Sequence, residues 1–175
     1  MTATLTLPVS DRDHIQGTAE AAVTLVEYGD YECPHCGRAY PIVEQIRKHF
    51  GDRLRFVFRN FPLTQVHAHA EMAAEAAEAA GAQDHFWEMH HSLFTHQNSL
   101  ELSHLLQYAG HLRMNAAQVG EALEAHTFRD RVREDFMSGV RSGVNGTPTF
   151  FINGVRHDGP FDLSSLTEAI EGMAG

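Results

Sequence analysis

Glu32-Cys33-Pro34-His35-Cys36-Gly37 contains the only two cysteines of this 175-residue chain. They lie three positions apart, so one turn of helix sets both sulfurs on one face, within disulfide reach. Directly before them runs Val23-Thr24-Leu25-Val26-Glu27-Tyr28, an apolar and β-branched segment that predicts a buried strand. After them Tyr40, Val43, Ile46, Arg47 and Phe50 keep a helical period. Pro34 suits the first turn of that helix, where its missing N–H has no partner in any case. Cys33 then falls at or beside the helix N-cap. Free backbone N–H groups and the positive end of the helix dipole stabilise a thiolate there.

Other uses of the two cysteines fit less well. A structural disulfide suits a secreted chain with several cysteines. A zinc site needs four ligands, and one Cys-x-x-Cys supplies two. The 13 histidines allow a mixed site, but none is paired at ligand spacing with this motif. Dithiol chemistry is the stronger reading, with no metal and no cofactor beyond the cysteines themselves.

The totals bound the rest. A chain of this length buries roughly 70% of its unfolded surface and needs no disulfide staple. A net charge of −10 argues against nucleic acid or an anionic membrane as partner. No apolar run has the length of a membrane span, so no membrane insertion is expected. Met1 to Glu20 carries Asp11, Asp13 and Glu20 and no apolar stretch of signal-peptide type. The expected location is the cytoplasm, and the expected state a monomer.

Taken in order, Met1 to Gly17 reads as a strand-like or extended lead-in, followed by the strand from Val23 to Tyr28. The helix from Pro34 stops at Gly51, and Arg53 to Phe58 forms a second strand, parallel to the first because a helix links them. Residues 64–143 change character. An alanine-rich helix begins near Val66, with Met72, Ala73, Ala76 and Ala80 inward and Glu71, Glu75 and Glu78 toward solvent. Further helices follow, with Asp84, Asn115 and Thr127 as candidate caps. The β signal returns in Thr147-Pro148-Thr149-Phe150-Phe151-Ile152, and Asn153-Gly154 marks a type I′ hairpin to Val155. Asp162 caps a final helix. The expected fold is α/β: βαβ from 1–63, an all-helical insertion over 64–143, and ββα from 144–175.

With that order in view, the chain resembles the DsbA-like branch of the thioredoxin superfamily over nearly its whole length. The residues that carry the likeness are Leu25-Val26-Glu27-Tyr28 before Cys33-Pro34-His35-Cys36, and Gly143-Val144-Asn145-Gly146-Thr147-Pro148-Thr149-Phe150-Phe151-Ile152-Asn153-Gly154. Relatives of glutathione-transferase kappa type share the architecture but lack this dithiol. The resemblance implies a thioredoxin fold and a protein thiol–disulfide oxidoreductase. Its partners would be protein or peptide thiols and disulfides, together with a redox partner that recharges it. It implies that Cys33 is the exposed nucleophile and Cys36 the buried resolving thiol. His35, or the N–H groups around it, would favour the Cys33 thiolate, with Pro34 beside them. Pro148 matches the family's cis-proline, and Thr147 would offer its backbone to a substrate strand.

Glu27 is a carboxylate inside an apolar strand, six residues before Cys33. The family places an acidic group there, beneath the resolving cysteine. Burial should raise its pKa and let it move the Cys36 proton. A strand-end glutamate reaching solvent is the plain alternative. Two rivals to the main functional reading stand: a cytosolic disulfide reductase or isomerase of this fold, and a metal-binding or redox-sensing module using the same two cysteines.

Overall fold

A computed structural model describes residues Met1–Gly175. The chain opens with β1 (His14–Gln16), β2 (Val23–Gly29), α1 (Pro34–Phe50) and β3 (Leu54–Asn60). Five helices follow: α2 (Ala70–Gly81), α3 (Phe86–Thr95), α4 (Leu102–His111), α5 (Ala116–Glu124) and α6 (Arg129–Arg141). β4 (Thr149–Ile152), β5 (Val155–Arg156) and α7 (Leu163–Ala174) close it. It is a mixed α/β thioredoxin fold with helices inserted between its halves.

The strands form one sheet in the order β1-β3-β2-β4-β5. β2 and β3 run parallel, joined through α1, and β4 lies antiparallel to β2 with Tyr28 opposite Thr149. That register positions the site: Thr147 and Pro148, just before β4, arrive where the chain leaves β2 for the cysteines. Asn153 and Gly154 turn β4 into β5, both with positive φ, 48° and 82°, as a type I′ turn requires. No helix is long and apolar enough to cross a membrane.

Strand alternation sends Val23, Leu25, Phe56, Phe58, Phe150 and Ile152 into the larger core, shared with Cys36, Val43 and Ile46 of α1 and Leu166 and Ile170 of α7. Val26, Tyr28, Val57 and Phe151 face the other way into a smaller cluster with Phe61. The lead-in is strand-like in part and extended in the rest. Its residues His14–Gln16 pair with β3 at one sheet edge, while Thr4 bridges to Val155 at the other. Between those points Leu5 and Val9 pack on the smaller cluster. The buried Arg59 guanidinium donates to the carbonyls of Leu7 and Pro8 and to both Asp13 oxygens, at 2.9–3.3 Å.

Several expectations need correction. The alanine-rich helix starts at Ala70, because Leu63–His67 is a turn in which the Leu63 carbonyl accepts from Val66 and His67. Glu75 and Glu78 are buried, not solvated. Helices cover α2 on several sides, so these carboxylates take internal partners: Glu75 meets His126, and Glu78 meets His14, Asn60 and Arg131. Asp84 has a left-handed φ of 63° and caps nothing; α3 opens after His85. Thr127 terminates α5 by donating its N–H to Ala122, and Phe128 precedes α6. Asn115 does cap α5, and Asp162 caps α7.

Candidate active site

The loop after β2 is short and tied down at both ends. The backbone N–H of Cys33 donates to the Asp30 carbonyl at 3.1 Å, and the Asp30 N–H points at Cys36 Sγ at 3.5 Å. Cys33 is the N-cap of α1, in extended conformation, with Pro34 at the first helical position. Extended backbone at the cap aims the free N–H groups of the first turn at its side chain. The N–H groups of His35 and Cys36 help to lower the Cys33 pKa from there, although neither makes a full cap bond to the sulfur.

Cys33 and Cys36 are free thiols in opposite surroundings. The Cys36 thiol donates to Cys33, and this bond, with Thr147 and the α1 N–H groups, outweighs burial and pulls the Cys33 pKa down to about 5. Burial pushes the Cys36 thiol well up, and the Cys33 bond and the Glu27 charge add to the rise. One sulfur is held ready as a thiolate and the other keeps its proton.

Cys33 is less open than a free nucleophile. It retains 3% of its surface and Cys36 none. The cover comes from the segment before β4: Cys33 Sγ lies 3.6 Å from the Thr147 carbonyl oxygen, and the Thr147–Pro148 peptide is cis. The Thr147 hydroxyl is buried and bonds to nothing else, so it is free to donate to the thiolate.

His35 contributes through its backbone. Its ring is exposed and Nδ1 faces the Arg38 guanidinium, away from the sulfurs. Pro34 is exposed beside Cys33. Glu27 is 2% exposed, and its Oε1 is buried with no hydrogen-bond partner. Burial first, then the charge of Cys33, raises its pKa to about 8, so it is protonated at neutral pH. No set of three or more His, Cys, Asp or Glu side chains is arranged to hold a metal ion.

Gln97, Asp30 and His67 at this site carried almost no signal in the sequence. Gln97, between α3 and α4, donates its amide to the carbonyls of Tyr31 (3.0 Å) and Cys33 (2.8 Å). Gly37 leaves room for it: a Cβ there would run into the Gln97 side-chain amide. The buried Asp30 carboxylate accepts from the N–H groups of Glu32 (2.8 Å) and Leu63 (2.9 Å) and bonds His67 Nδ1 (2.8 Å). These are tertiary contacts; an Asp three residues before the first cysteine was the sole local hint.

A family model described as "Thioredoxin" matches residues 9–172. The structure is similar to oxidised BdbD from Bacillus subtilis, with a TM-score of 0.89 and 26% identity over 99% of each chain. It is similar also to a thioredoxin-like oxidoreductase from Silicibacter pomeroyi DSS-3, with a TM-score of 0.82 and 26% identity over 93% of this chain and 92% of that one. Among curated sequences, a protein of Mycobacterium sp. (strain KMS) named Na(+)/H(+) antiporter NhaA 1 is 46% identical over 171 residues. That match takes in 96% of this chain but 28% of the antiporter's length, so the shared segment is a minor part of a much longer protein. Another antiporter, from Salinispora arenicola (strain CNS-205), is 47% identical over 95% of this chain and 26% of its own length. From the matched model, the sheet order and the inserted helices, the chain belongs to the thioredoxin superfamily, in its DsbA-like branch.

Proposed function

We propose that the protein is a thiol–disulfide oxidoreductase acting on protein or peptide thiols through Cys33-Pro34-His35-Cys36. One observation carries this reading: adjacent sulfurs tuned in opposite directions, Cys33 down to about 5 and Cys36 up, at a helix N-terminus beside Thr147. In the oxidising direction a substrate thiolate attacks Cys33 of the enzyme disulfide and expels Cys36. Protonated Glu27 gives Cys36 its proton. A second substrate thiolate then attacks the substrate sulfur of the mixed disulfide and expels Cys33, a good leaving group because its pKa is low. The enzyme ends as a dithiol and the substrate as a disulfide. A bound substrate strand would pair with the Thr147 backbone beside Cys33.

The test is trapping with a dithiol peptide and its disulfide form. Cys36→Ser should accumulate a mixed disulfide with the peptide, and Cys33→Ser should accumulate none. Equilibration with glutathione then gives the direction: a strongly reducing couple would replace oxidase by reductase, and absence of exchange would remove the enzyme reading.

A further inference from the structure

His67 sits on the turn between β3 and α2, beside an open cleft of about 440 Å³ that is also lined by Glu32, Pro34, His69, Gln97 and Glu101. Its Nδ1 is held 2.8 Å from a carboxylate oxygen of Asp30, whose side chain is wholly inaccessible. The Asp30 backbone bonds both cysteines. The charged groups acting on His67 are Asp30, Cys33 and Glu32, with His69 and Glu101 on the cleft wall; α1 contributes only the uncharged Pro34 there. Nearly all the charge around His67 is therefore negative, and one of those charges, the Cys33 thiolate, exists only in the reduced state.

We propose that Asp30 and His67 form a positioning pair that takes up a proton when the Cys33–Cys36 disulfide is reduced, the imidazolium balancing the new thiolate. The step rests on the oxidoreductase reading and balances as follows. The enzyme disulfide and two substrate thiols give Cys33 thiolate, Cys36 thiol, a substrate disulfide and one proton; neutral His67 receives that proton. Two electrons pass from substrate to enzyme, and both substrate protons stay on the protein. Burial alone would lower the His67 pKa, but the Asp30 bond and charge, then Cys33 and Glu32, raise it. Asp30 fixes the imidazole and, through its backbone, the cysteine loop; neither side chain bonds a reacting sulfur.

The experiment uses His67→Gln, which keeps a donor toward Asp30 and so preserves the loop. Glu27 also feels the Cys33 charge, so the measurements are made in a Glu27→Gln background. The first readout is thiolate absorbance against pH. Losing one screened cation should reduce the Cys33 acid dissociation constant about threefold or more. The second is the equilibrium with glutathione. Without proton uptake, reduction releases one proton and the apparent constant rises tenfold per pH unit above the Cys33 pKa. With His67 present the rise should be shallower through neutral pH, and His67→Gln should restore the full tenfold slope. Asp30→Asn should behave the same way, since His67 then loses its anion. Unchanged titration and slope in His67→Gln would overturn the pair while leaving the oxidoreductase intact. Absence of exchange in the protein with Glu27 and His67 both intact would overturn both.

Discussion

The carbonyl oxygen of Thr147 lies 3.6 Å from Cys33 Sγ across 114 residues of sequence. This contact joins the two halves of the thioredoxin fold at the one sulfur poised to react. What holds Cys33 ionised is shared between the start of α1 and the approach to β4, and the predictions follow from that division.

The Cys33 pKa of about 5 sets both reactivity and stability. Alkylation of Cys33 should reach half its limiting rate near pH 5, with Cys36 far slower at every neutral pH. A thiol whose pKa is lowered by folding stabilises the reduced fold fully above its unfolded pKa, and that gain is lost as pH falls through about 5. Near pH 7 it amounts to about 2 kcal/mol after solvent screening. The disulfide, closing a very short loop, returns roughly 2 kcal/mol of chain entropy to the oxidised form. The reduced protein should therefore melt higher near pH 8 and the oxidised protein near pH 5. Calorimetry of both forms that found no pH-dependent gap would contradict the thiolate assignment.

Glu27→Gln should stabilise the protein while slowing exchange. The folded carboxyl has a pKa of about 8, so folding favours its neutral form. The native state therefore loses relative stability as pH rises from the unfolded value of 4.5 toward 8. Gln carries no such penalty, and the gain should approach about 3 kcal/mol near pH 7 and vanish near pH 4. Urea midpoints across that range measure it. Stopped-flow exchange should slow, because Cys36 loses its proton partner; an unchanged rate would remove Glu27 from the mechanism.

Gly37→Ala should cost about 1–3 kcal/mol, since its methyl would meet the Gln97 amide head-on. Gln97→Ala alone should cost about 1 kcal/mol for each of its two bonds to the loop. The double variant should be more stable than the sum of the singles, because the clash disappears with the amide. Simple additivity in denaturant unfolding would mean that the two do not meet.

Strands β2 to β5, α1 and the terminal helix were legible because each rests on local period, spacing or a cap, whereas the pairing of β1 with β3 rests on a tertiary contact. Cys33, Cys36 and Glu27 stood out as chemistry placed against an apolar background. The helical insertion was legible as helices but not as polar architecture. Glu71, Glu75 and Glu78 share one face of α2, a pattern that ordinarily marks a solvated side. Here that face is covered by other elements, and the partners His14, Asn60, Arg131 and His126 come from four separate segments. Gln97 and His67 act through contacts 64 and 37 residues away in sequence, beyond any local pattern. His35 was legible as a neighbour of the sulfurs, but only three dimensions show its ring turned to Arg38.

The lead-in fastens at His14–Gln16 to one edge of the sheet and at Thr4 to the other. It caps β3 with an edge strand of only three residues and bridges β5 at one, and edges that short are poor templates for a foreign strand. It also imposes a schedule on synthesis. Thr4 cannot be buckled in place until Val155 has been made. Until then Leu5 and Val9 pack on a cluster that still lacks Val144 and Phe151. A nascent chain stalled before residue 150 lacks β4 and β5 and leaves β2 as an open sheet edge, the state that a chaperone for unfastened edges would meet.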